Sequence, residues 1–117
     1  MSDQTTTVGQ LREMIAAFVA ERDWGKFHDP KNLAASIAIE TAELMEHFQW
    51  LRSDELEAVQ RDPRQMAEIR EELADVTAFV LSFANAMDID VSDALRDKIS
   101  KNAHKYPAAE YRGRFKK

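Results

Sequence analysis

LAASIAIETAEL (residues 33–44) and IREELADVTAFVLSF (residues 69–83) each carry two acids inside an apolar helical stripe. At about 100° per residue, with Glu40 at zero, Leu33, Leu44, Ile37 and Phe48 fall at roughly 20° to 80° on the helical wheel. Ile39 and Trp50 fall at roughly 260° to 280°, so Glu40 and Glu43 lie between apolar neighbours and not on an opposite wet face. Ala34, Ala35, Ala38 and Ala42 form a further face, small enough for close helix contact. The second segment repeats the pattern. With Glu72 at zero, Phe83, Val76 and Ile69 fall at roughly 20° to 60°, Phe79 at roughly 340° and Asp75 at roughly 300°.

Residues three apart on a helix share a face. If the two helices pack antiparallel, four carboxylates converge. Four unpaired negative charges in a bundle interior are strongly unfavourable. Raised pKa values relieve them, or bound cations do. An all-oxygen carboxylate set suits a hard ion, Mg²⁺ or Mn²⁺, which keeps waters and binds phosphates. The bland alternative is a solvated acidic face paired with Lys and Arg. Two matched pairs in two apolar stripes weigh against it, whereas Glu46, Glu55, Glu57 and Glu68 read as surface.

Outward from these segments the chain reads as all-α, a four-helix-bundle-like fold. Its 117 residues fit one domain, and three Gly and three Pro are few breakers for that length. A first helix is expected over residues 7–23, with Thr7 and Gln10 at capping-box spacing. Asp29 and Pro30 open a second helix reaching about Trp50. Residues 53–60 form a short helix or turn. Asp62 and Pro63 repeat the cap-plus-proline signal and open the longest helix, residues 64–87. Ser92 is expected to cap a last helix to about Lys105, which Pro107 ends. Residues 1–6 are expected to be disordered. Residues 7–107 form the helical domain, and residues 108–117 a basic tail with Arg112, Arg114, Lys116 and Lys117. Strand-like alternation is absent.

Composition narrows the function. Apolar residues make up 44% and charged residues 32%, and the net charge is −5. An acidic balance argues against a nucleic-acid polymer as partner. With no Cys, disulfides and thiolate metal sites are excluded. No stretch approaches 18 apolar residues, so no membrane span is expected. With no signal-like apolar region at the N-terminus, the expected address is cytoplasmic. A domain this small buries only about two-thirds of its unfolded surface, which makes association plausible.

The set Glu40-x-x-Glu43, then 28 residues, then Glu72-x-x-Asp75 resembles the signature of the all-alpha nucleotide pyrophosphohydrolases. That superfamily includes the MazG-like proteins and the dCTP pyrophosphatases. The similarity is closest to the latter branch. Its fingerprint stands here as Glu21-Arg22-Asp23-Trp24, Phe27-His28-x-Pro30-x-Asn32-Leu33, Glu43-Leu44, Phe48-Gln49-Trp50, Glu71-Glu72-Leu73-Ala74-Asp75-Val76 and Lys101-Asn102-x-x-Lys105-Tyr106-Pro107. The resemblance spans about residues 10–107. It implies a helical homo-oligomer, dimer or tetramer. It implies Mg²⁺ held by Glu40, Glu43, Glu72 and Asp75, and release of pyrophosphate from a nucleoside triphosphate. Two departures stand out: Ile39 where many MazG-like members have Glu, and Lys31 where Arg is frequent.

Further roles follow. Glu43, at the edge of the acid cluster, is the candidate catalytic base for water. Lys98, Asn102 and Tyr106 recur at i, i+4, i+8, placed either to contact phosphate or ribose or to form a solvated helix end. Trp24, Phe27 and Trp50 are candidates for stacking on a base, or else close the bundle. His28 is a candidate hydrogen-bond partner for base or phosphate. His47 and His104 read as surface groups or as groups behind the metal ligands. Two rival readings are a non-enzymatic helical interaction module and a di-metal carboxylate bundle. The second needs Glu-x-x-His pairs, and positions 43 and 75 are Glu and Asp.

Overall fold

The computed structural model describes residues 1–116. They form helices α1 (Val8–Glu21), α2 (Pro30–Glu46), α3 (Leu56–Arg61), α4 (Pro63–Met87), α5 (Val91–Lys105) and α6 (Ala108–Tyr111), with no strand among the described residues. The caps explain most boundaries. At α1, Gln10 N–H donates to Thr7 Oγ1 at 3.1 Å, and Thr7 N–H donates to Gln10 Oε1 at 2.7 Å. This reciprocal pair satisfies two donors that a helix start leaves free. Asp29 accepts from Asn32 N–H, and Asp62 from Arg64 and Gln65 N–H, each just ahead of a proline at the first helical position.

Several boundaries differ from expectation. α2 stops at Glu46, not near Trp50. Beyond it His47 and Phe48 N–H bond to carbonyls three residues back, a tight last turn that aromatic residues, weak helix formers, do not extend. α5 is capped by Asp90 and not by Ser92: Asp93 N–H donates to Asp90 Oδ1 at 2.8 Å. Asp88 takes the left-handed conformation (φ 53°, ψ 49°), so Asp90 is already extended and starts the helix ahead of Ser92. The tail holds an unexpected short helix, α6, and Tyr111 packs edge-on against Tyr106 at 5.2 Å. Ahead of α1, Thr5 N–H donates to Ser2 O in a turn.

α4 is the axis. α2 packs along it most extensively, α1 second, and α3 covers its start. Contacts of His47 with Glu72 and of His28 with Phe79 show α2 running antiparallel to α4. Arg12 and Asn85 clamp α1 to α4, with Arg12 Nε donating to Asn85 Oδ1 at 2.8 Å and Asn85 Nδ2 donating to the Arg12 carbonyl at 3.2 Å. α5, the fourth long helix of the expected bundle, touches the others only at isolated points. The radius of gyration is 17.4 Å, against about 13 Å expected for a compact chain of this length. The core is correspondingly thin. Leu33, Val59, Leu81 and Ala84 are buried, while Ile39, Leu73, Leu95 and Ile99 are each more than half exposed. No helix among the described residues is long and apolar enough to cross a membrane.

Candidate active site

The antiparallel pairing of α2 and α4 brings the acids together because each pair occupies one helical face. Carboxylate oxygens of Glu40, Glu43 and Glu72 lie within 4.8 Å of one another. Glu40 Oε2 and Glu72 Oε2 are buried with no hydrogen-bond partner among the described residues. Asp75, one turn beyond Glu72, is close enough that its charge acts on both Glu40 and Glu72. Burial, then the adjoining Glu43 and the charges of Asp75 and Glu72, hold the Glu40 carboxyl above its usual range. Burial likewise raises Glu72, with Glu43 and Asp75 adding to the effect and His47 opposing it. His47 Nε2 stands 3.9 Å from Glu72 Oε1. Two buried, unpartnered anionic oxygens facing further carboxylates are what a hard divalent ion satisfies, so these residues fit such an ion.

Beside the acids lies an apolar cavity of about 420 Å³, with Asp75, Trp24, His28, Phe18 and Phe79 among its walls. Gly25, Lys26 and Phe27 form a single 3₁₀ turn that folds Trp24 and His28 back over this cavity. Trp24 meets Phe18 edge-on at 5.8 Å, and the His28 ring lies tilted 6.2 Å from Phe79. Trp24 and His28 therefore share a cavity with Asp75. Trp50 does not: it is 86% exposed on the turn after α2. Lys98 is exposed on α5, and no hydrogen bond or ion pair links it, Asn102 or Tyr106 to the acids within the described chain. Periodicity places Phe18 and Phe79 in apolar stripes without a role at the cavity, and it does not single out Ser82. Phe79 and Ser82 follow Asp75 at i+4 and i+7, a spacing that puts them on its face.

A model of the MazG-like family matches residues 35–117. The chain belongs to the MazG-like family. Among its relatives, dCTP pyrophosphatase 1 of Bos taurus is 36% identical over 107 residues, covering 92% of this chain and 63% of that protein. The human dCTP pyrophosphatase 1 is 37% identical over 102 residues, covering 87% and 60%. This chain thus spans less than two-thirds of the length of these relatives. A crystal structure of a pyrophosphatase from Archaeoglobus fulgidus is 38% identical and superimposes with a TM-score of 0.79, covering 92% of this chain and 98% of that one. MazG-like membership agrees with the resemblance carried by the two acid pairs.

Proposed function

We propose that the chain is a Mg²⁺-dependent nucleoside triphosphate pyrophosphohydrolase acting on dCTP or a modified dCTP, yielding the monophosphate and pyrophosphate. The observation that carries this reading is the convergence of Glu40, Glu43 and Glu72, with two buried unpartnered oxygens, beside an aromatic-walled cavity. The relatives' activity agrees with it.

Glu40, Glu43, Glu72 and Asp75 would hold the ion, with Mn²⁺ as a substitute. A divalent ion bound there supplies charge neutralisation for the triphosphate and for the leaving pyrophosphate. Glu43 is exposed at the rim of the cluster and reaches water, so it accepts the proton as the water oxygen adds to phosphorus. The phosphorus–oxygen bond of the α–β anhydride breaks, and the electron pair leaves with pyrophosphate. Trp24 and Phe79 line the cavity and offer ring faces to the base.

In this reading the enzyme is a homo-oligomer, dimer or tetramer. The exposed apolar faces of α4 and α5 support it, since they need a covering surface. On assembly, α5 would bring Lys98, Asn102 and Tyr106 to the triphosphate at a neighbouring subunit, and Trp50 would close the site.

The test is a panel of deoxy- and ribonucleoside triphosphates, with products identified by mass. The expected result is monophosphate and pyrophosphate in equal amounts, only with Mg²⁺ or Mn²⁺, and fastest with a cytosine base. Release of orthophosphate, or no turnover of any nucleotide, would refute the activity.

A further inference from the structure

Among the described residues Ser82 is the buried polar side chain, only 8% exposed. Its hydroxyl has no hydrogen-bond partner there. The two helical threonines near the site behave differently. Thr41 Oγ1 donates to the Ile37 carbonyl at 2.6 Å, and Thr77 Oγ1 to the Leu73 carbonyl at 2.8 Å. That back-bond is the usual outlet for a hydroxyl within a helix. Ser82 does not take it. Unlike Glu40 Oε2 and Glu72 Oε2, its oxygen is not sealed off, so it opens onto space that a ligand group can enter.

Its surroundings say where that space lies. Ser82 lines the 420 Å³ cavity beside Asp75, and also the adjoining hollow of about 330 Å³ between α1 and α4. His28 borders both as well. Asp75, Phe79 and Ser82 occupy one face of α4 at i, i+4 and i+7. Seven residues of helix rise span about 10 Å. That is of the order separating the α-phosphate of a nucleotide from the far edge of its base. The face therefore offers, in sequence, an acid beside the phosphates, an aromatic ring and a hydroxyl where the two hollows adjoin.

We propose that Ser82 is a specificity-determining residue whose hydroxyl hydrogen-bonds the polar edge of the nucleobase where the cavity meets the adjoining hollow. A hydroxyl donates or accepts, so it pairs with an amino or a carbonyl group on that edge. Selectivity arises because a base without such a group leaves the hydroxyl buried and unpaired. This inference rests on the reading of the site as a nucleotide pyrophosphohydrolase.

The experiment compares two substrates in the full chain and in Ser82→Ala. One is the nucleotide that the unaltered protein turns over best. The other is deoxyribose 5′-triphosphate lacking a base. The quantity read is the ratio of their kcat/KM values. Loss of one neutral hydrogen bond predicts a fall in that ratio of about tenfold. A fall of threefold or more supports the role. A merely structural role would slow both substrates together, so a ratio changed by less than threefold overturns it. Pyrophosphate release by the unaltered protein would then leave the functional reading standing. Absence of pyrophosphate release by the unaltered protein from any nucleotide overturns both.

Discussion

Glu72 sits where three effects meet: burial, two neighbouring carboxylates and an imidazole. Replacing it with Ala removes one charge from a repelling cluster, so the fold is retained while the ion loses a ligand. Glu72→Ala is expected to keep the circular-dichroism spectrum and to lose more than nine-tenths of turnover. A variant keeping more than a tenth would show that Glu72 is no ligand. The raised Glu40 and Glu72 carboxyls also give a sign to the pH dependence. Both bind protons more tightly folded than at the 4.5 of the free side chain. The folded state therefore holds more protons between 4.5 and the raised values, and metal-free stability falls as pH rises through that window. The melting temperature in chelator should drop there, and millimolar Mg²⁺ should offset the drop, because the ion binds the deprotonated folded form. A melting curve indifferent to Mg²⁺ at neutral pH would count against the site. At this scale the acids were legible in sequence because charge inside an apolar stripe is anomalous on one helix alone. Ser82 was not, because a lone serine on a helix is ordinary until the walls around it are known.

Helix starts were the most readable elements. Thr7, Asp29 and Asp62 cap where their spacing to Gln10, Pro30 and Pro63 says they should. Thr7→Ala removes one half of the reciprocal pair at α1 and is expected to lower stability by about 1 kcal/mol, read from urea denaturation. An unchanged midpoint would mean that α1 is held by the Arg12–Asn85 clamp and not by its cap. Asp62 contributes with the opposite pH sign to the buried acids. Its carboxyl is held below the 3.8 of a free Asp, mainly by hydrogen bonds from the Gln65 side chain and backbone, so its stabilisation is lost as pH falls through the lowered value. Boundaries set by tertiary geometry were less readable. Asp90 and Ser92 both satisfy the capping rule, and only the left-handed turn at Asp88 decides between them. The end of α2 has no glycine or proline to mark it.

For the whole molecule, the single chain leaves apolar helix faces uncovered. Three helices pair around α4, and α5 carries Leu95 and Ile99, each nearly 60% exposed, on one face at i and i+4. Sequence periodicity marks such residues as apolar without saying whether their own chain or a second copy covers them. Ile99→Asp is expected to shift the mass in light scattering from a multiple of 13.4 kDa to 13.4 kDa itself, with activity lost in parallel. A variant that stays assembled would place the interface elsewhere. The proposed activity depends on α2 and α4 presenting their acids to one ion. Crystals grown with Mn²⁺ and measured for its anomalous signal test that directly. The expected map shows a peak enclosed by Glu40, Glu43, Glu72 and Asp75; a map with no peak among those four carboxylates would contradict the proposed metal site.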